Sequence, residues 1–334
     1  MTLKSFFSFI VVGAFLFSGC SIKKVYEPKV VGDDWSHHGD AKNEIVDVSS
    51  NVALLRDNKL LLKGKLIDFK LSKGERVIGQ SNGSIVSATI DGKLKVRDES
   101  NTTNYELYDL KKTIATASVD ETMLAVVFAD NEIAIYNRSS KELIFKESGA
   151  KALAINSKVA MPHFMQNLVI FATLDGKIII VNSALKKVLR TVIVSSKDMF
   201  NNVIYFNIID EKIVTATDSS ILSLGREEKR VSYEMRDFFY DGKLLYITTK
   251  QGEVIALDSS LEEKASIKFP FAHFLAFIVD GEKIYLLENE EYMIVLDKDM
   301  KNYTVHEVDI EDGYIFVDNK RFYIADEYID IEKK

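Results

Sequence analysis

LVIFATLDGKIIIVN, residues Leu168 to Asn182, is the stretch on which the fold turns. Two runs of branched and aromatic apolar residues flank Asp175-Gly176, where glycine supplies the positive φ that a tight hairpin turn requires. Val169-Ile170-Phe171-Ala172 and Ile178-Ile179-Ile180-Val181 are apolar at consecutive positions, so both faces of each predicted strand must be covered.

The unit recurs along the chain. Close copies are SIVSATIDGKLKVRD (84 to 98), MLAVVFADNEIAIYN (123 to 137), LLYITTKQGEVIALD (244 to 258) and KIYLLENEEYMIVLD (283 to 297). Looser ones are NVALLRDNKLLLKGK (51 to 65), KIVTATDSSILSLG (212 to 225) and RFYIADEYIDIEKK (321 to 334). The turn positions Asp57, Asp91, Asp130, Asp175, Asp218, Gln251, Asn289 and Asp326 are 34, 39, 45, 43, 33, 38 and 37 residues apart. Their mean spacing matches a four-stranded propeller blade of roughly 40 residues. Lys187 to Val194 and Ala152 to Ala160 read as additional strands between hairpins, while Lys197 to Tyr205 reads as a loop entering a strand rather than a helix.

The sequence therefore predicts an all-β chain, a β-propeller of eight four-stranded antiparallel blades, with seven as the alternative if a terminal hairpin is shared. A blade cannot bury both faces until neighbours pack on each side, which is what doubly apolar strands demand. The last blade ends soon after its hairpin and lacks an outer strand; Glu44 to Val48 (EIVDV) is expected to supply it and close the ring.

The ends of the chain add chemistry. Lys4, the apolar run Phe6 to Phe17 and Ser18-Gly19-Cys20 form a charged n-region, an h-region and small residues ahead of a cysteine. The run is shorter than the roughly 20 residues of a membrane-spanning helix. It resembles the lipobox of bacterial lipoproteins, which implies cleavage between Gly19 and Cys20, acylation of Cys20, and membrane affinity well beyond that of one acyl chain. Ser21 in the next position implies export to the outer membrane. The expected organisation is a signal peptide (1–19), a lipidated N-terminus and tether (20–43) and the propeller (44–334).

Composition narrows the function. With 43 Lys+Arg against 50 Asp+Glu, the chain has no basic footprint for nucleic acid, and its single cysteine excludes a disulfide scaffold. From Asp280 to Lys334 there are 16 acidic and 7 basic side chains, a concentration that can steer a basic partner but reads first as solvated strand and loop positions. Phe269, Phe271, Phe274, Phe277, Tyr285, Tyr292, Phe316, Phe322 and Tyr323 are expected to fill blade interfaces.

The stretch Trp35-Ser36-His37-His38-Gly39-Asp40-Ala41-Lys42-Asn43 resembles the Trp-x-x-x-Gly-Asp-Ala-x-x-Asn opening of quinoprotein-like (PQQ-like, WD40-like) propellers, with Asn43 one position earlier than in that pattern. With the lipobox, the layout is similar to the BamB family, propeller lipoproteins of the outer-membrane β-barrel assembly machinery. The resemblance implies a non-enzymatic scaffold on the periplasmic face of the outer membrane with an envelope protein as partner. The catalytic quinoproteins stack their quinone on a tryptophan and cap it with a disulfide; Trp35 and Cys20 are the only residues of their kinds, so no quinone and no other cofactor is expected. The alternatives are an accessory propeller of a periplasmic redox or transport complex, and an enzyme acting on a small molecule or polysaccharide in the central channel.

Other signals are thin. His37 and His38 beside Asp40 have metal-ligand chemistry, but neighbours on an extended segment point apart and read as solvated polar residues. Nucleophile elbow, phosphate loop and His-Glu-x-x-His motifs are absent. Glu99-Ser100-Asn101-Thr102-Thr103 fits the acidic sequon of some bacterial N-glycosylation systems, with Asn101 as acceptor.

Overall fold

The computed structural model describes residues 24–49 and 51–332; Gly19 and Cys20, and with them the expected cleavage and lipidation, lie outside the described residues. The described strands form eight four-stranded antiparallel sheets, each a blade of a β-propeller, with no helix among the described residues. Seven blades use consecutive strands: residues 45–68, 75–109, 114–148, 163–193, 205–231, 235–268 and 274–307. The eighth combines Ile315–Val317, Arg321–Ile324 and Glu327–Asp330 with His38–Asp40 from the other end of the chain. First strands of neighbouring blades approach one another, which places them at the centre of the ring.

All eight sequence hairpins are the two middle strands of a blade. In the fourth, Val169 faces Val181, Ile170 faces Ile180 and Phe171 faces Ile179. Val169 and Phe171 pack with Val127, Ile133 and Ile135 of blade three, whereas Ile170 and Ala172 pack with Leu222 and Leu224 of blade five. Side chains on a strand alternate between faces, and here each face belongs to a different neighbour, so continuous apolarity is the signature of a sheet wedged between two others. Gly92, Gly176 and Gly252 have φ of 89°, 79° and 75° in their hairpin turns. Each of these turns is braced by a threonine hydroxyl four residues before the strand's restart, accepting from the N–H of Lys93, Lys177 or Glu253 at 3.0–3.1 Å.

The closing strand is not the expected one. Glu44 to Val48 falls instead in the innermost strand of blade one, Ile45–Ser49, paired with Val52–Leu55. His38–Asp40 completes the last blade, pairing His38 with Ile329 and Asp40 with Glu327. The physical reason lies in the Trp-x-x-x-Gly-Asp-Ala stretch. Trp35, 3% exposed, inserts between blades seven and eight and donates its Nε1–H to the Asp330 carbonyl at 3.0 Å. Gly39 lies under the Tyr328 ring, where a Cβ would stand 2.2 Å from the ring carbon, so only glycine lets the strand dock there.

Residues 24–43, read from sequence as part of a tether, are laid along the propeller from Tyr26 onward. Tyr26 is buried between Phe269 and Tyr292, and the N–H groups of Gly32 and Trp35 bond to the carbonyls of Val305 and Glu307 on the outer strand of blade seven. His38 is tied to the Trp35 carbonyl at 2.9 Å, and His306 to that of Asp33 at 2.7 Å. This segment has no apolar period because it is held by backbone hydrogen bonds and single side chains such as Tyr26, Trp35 and His38 rather than by a repeating apolar face.

Candidate interaction surface

Chain alternation puts the hairpin turns and the loops between blades at the same end of the strands. Two of those loops, 149–162 between blades three and four and 194–204 between blades four and five, stand out. Ala152 to Ala160, expected as a strand, is loop throughout. Its backbone groups bond instead to asparagine side chains and to the neighbouring loop, which leaves no ladder to join.

Three buried amides build the pair of loops. Asn131, 1% exposed, donates to the Ala150 carbonyl at 2.7 Å and accepts from the Leu174 N–H at 2.8 Å, tying loop to hairpin turn. Asn202, fully buried, accepts from the Asn156 N–H at 2.6 Å and donates to the Lys158 carbonyl at 2.7 Å. Asn201 donates to the carbonyls of Ser195 and Asp175 at 2.9 and 3.2 Å. The Phe200 N–H bonds to the Ala154 carbonyl at 2.9 Å and joins the two loops directly.

This scaffold presents Leu153, Ile155, Met199 and Phe200 to solvent, at 79%, 40%, 52% and 46% exposure. Phe200 has φ of 51°, a left-handed conformation that costs a bulky L-residue about 1–2 kcal/mol. Strained backbone holding an exposed aromatic is the pattern expected of a surface kept for contact. A cleft of about 190 Å³ beside them is lined by Lys151, Leu153, Asp175, Lys197 and Asp198 among others.

The central channel is different in character. Met161 and Pro162 from the first loop enter it: the Met161 sulfur sits against Gly79 of blade two, and the Ser118 hydroxyl of blade three donates to the Pro162 carbonyl at 2.6 Å. The remaining space, about 410 Å³, is bordered by Asn51, Gln80, Asn82, His163, Tyr205 and Phe206 among others. Asn51 and Gln80 bond mainly to each other, and burial lowers the pKa of His163. No group of three or more His, Cys, Asp or Glu side chains suited to a metal occurs among the described residues.

The other sites predicted from sequence are separate from these. Asn101 is exposed at the start of the outermost strand of blade two, Asn101–Asp109, with its side-chain oxygen accepting from the Thr103 N–H at 3.3 Å. Phe271, expected in an interface, is 55% exposed, and Lys24 sits over its ring at 5.3 Å. The loop surface is not among the sites predicted from sequence; its signal there is the large apolar side chains Leu153, Ile155, Met199 and Phe200 in segments that belong to no hairpin repeat.

No family model matches the chain. The chain is 33% identical over 210 residues to the plasminogen-binding protein PgbB of one Helicobacter pylori strain, covering 62% of this chain and 39% of that protein. Against PgbB of a second strain it is 28% identical over 362 aligned positions, covering 94% of this chain and 67% of that protein. The chain thus spans about two-fifths of the first relative and two-thirds of the second. Among solved structures, BamB from Moraxella catarrhalis superposes with a TM-score of 0.63 at 14% identity, covering 90% of this chain and 98% of that one. The C-terminal WD40 domain of Sif2 gives 0.61 at 12% identity, covering 94% of this chain and all of that domain. The computationally designed Ika8 protein gives 0.60 at 15%, covering 90% of this chain and all of that one. At these identities the likeness is one of fold, a BamB-like propeller.

Proposed function

We propose that this chain is a non-enzymatic, lipid-anchored propeller of the bacterial envelope that docks a protein partner on the loops 149–162 and 194–204. The observation that carries the reading is the apolar quartet Leu153, Ile155, Met199 and Phe200, held out by buried amides on strained backbone. Covering such side chains yields up to about 1.5–3 kcal/mol each at full burial, enough together for a specific transient complex. Anchoring follows from the Ser18-Gly19-Cys20 lipobox and the outer membrane from Ser21. A role in β-barrel assembly draws on the likeness to BamB, and the named partner would be a component of that machinery.

The test is affinity capture of the acylated protein from membranes after mild cross-linking. The partner recovered with the native chain should be lost with Leu153→Asp/Phe200→Asp while the propeller melts unchanged. Capture that is the same for both proteins refutes the surface, and absence of any envelope partner refutes the reading. A second reading rests on the curated relatives: the chain binds plasminogen, as their name states for them. Surface plasmon resonance of the folded chain over immobilised plasminogen decides it, and no saturable response rejects it.

A further inference from the structure

We propose that the rim between blades six and seven, formed by Phe271, Val30, Val31 and Tyr303 around the strap that begins at Lys24, rests on the lipid bilayer and sets the orientation of the propeller. The proposal rests on the lipidation of Cys20. Lys24 is four positions after Cys20, and an extended chain advances at most roughly 3.3–3.6 Å per residue, so the acylated cysteine stays within about 14 Å of Lys24. Two residues later Tyr26 is locked between Phe269 and Tyr292, and from Gly32 the strap is bonded to blade seven. A tether this short brings the rim beside it to the level of the headgroups.

The rim is built for that position. Phe271, Val30, Val31 and Tyr303 are 55%, 78%, 37% and 46% exposed. Phe271 has φ of 67°, where an aromatic residue is strained and glycine would be at ease, yet the ring is left in solvent under the Lys24 ammonium. Aromatic and aliphatic side chains beside a lysine suit the bilayer interface, the apolar parts entering and the amine reaching the phosphates. Lys24 and Lys29 are offset by Glu27, Asp33 and Asp34 on the same strap, so apolar contact carries the attachment and salt changes it little. The protein-docking loops lie two and three blades farther round the ring.

The experiment uses the full acylated protein in vesicles of phosphatidylethanolamine and phosphatidylglycerol (3:1) containing brominated lipid. Because Cys20 is consumed by lipid, Val30→Cys or Leu153→Cys provides a single thiol for a fluorophore. Quenching at position 30 should exceed that at 153 several-fold, persist in 0.5 M salt, and fall by at least half when Phe271→Gly is added, a change the backbone accepts without strain. Equal quenching at 30 and 153 overturns the proposal. Undiminished quenching at 30 with Phe271→Gly assigns the proximity to the tether alone and also overturns it. Absence of acyl mass on Cys20 overturns the anchoring reading, and the orientation with it, and is read separately by intact-mass measurement.

Discussion

Glu75 gives the sharpest test of how blade two is held. Its carboxylate, 1% exposed, accepts from Arg97 at 2.6 Å, Ser87 at 2.5 Å, Lys95 at 2.9 Å and the Ser72 N–H at 2.9 Å. Burial by itself would raise its pKa, but these hydrogen bonds outweigh burial and bring it from 4.5 to about 2. A carboxyl depressed on folding contributes stability that is complete above its unfolded pKa and is lost as pH falls through the folded one. At about 1.4 kcal/mol per unit, Glu75 contributes roughly 3 kcal/mol at pH 7 that disappears between about pH 5 and pH 2. Glu75→Gln removes that dependence and strands Arg97, 4% exposed, without a counter-charge; the expected loss at pH 7 is about 3–5 kcal/mol. The assay is urea unfolding followed by circular dichroism and by the fluorescence of Trp35, for native and variant chains from pH 7 to pH 2.5. The stability gap should narrow on acidification, and Arg97→Met combined with Glu75→Gln should recover most of the loss. A variant within about 1 kcal/mol of the native chain at pH 7, or a gap that stays constant with pH, refutes the reasoning.

Three further outcomes are expected. Trp35→Ala should cost about 3–5 kcal/mol in urea unfolding and speed amide exchange at His38–Asp40, because the indole fills the seam between blades seven and eight next to that closing strand. Gly39→Ala should cost about 1–3 kcal/mol by overpacking against Tyr328, and Tyr328→Ala on the same chain should restore much of it in a thermal melt. Phe200→Gly should leave the melting temperature unreduced, since relief of left-handed strain offsets the added freedom of the unfolded chain, yet weaken cross-linking to the envelope partner by tenfold or more.

The blades were legible because hairpin chemistry and burial are both written locally. Asp91-Gly92 and Asp175-Gly176 can hardly be anything but turns, and a strand apolar at every position announces two covered faces. Ala152 to Ala160 shows the converse. Its composition suits a strand, but its backbone groups are taken by residues 40 or more positions away, Phe200, Asn202 and Val203 among them. Phe271 likewise looks like interface filling in sequence, and only its placement on a turn with positive φ turns the ring outward.

From the sequence alone follow the all-β architecture and the recurring hairpin unit of the blades, together with the expectation that Cys20 carries lipid, since each depends on short-range patterns of turn residues, apolar runs and a leader. Tertiary structure alone decided that eight blades form, which strand closes the ring and which loops hold apolar side chains out to solvent. Closure depends on the fit of Trp35 between two blades and of Gly39 beneath Tyr328, residues almost 300 positions apart, and no local pattern encodes a contact at that separation.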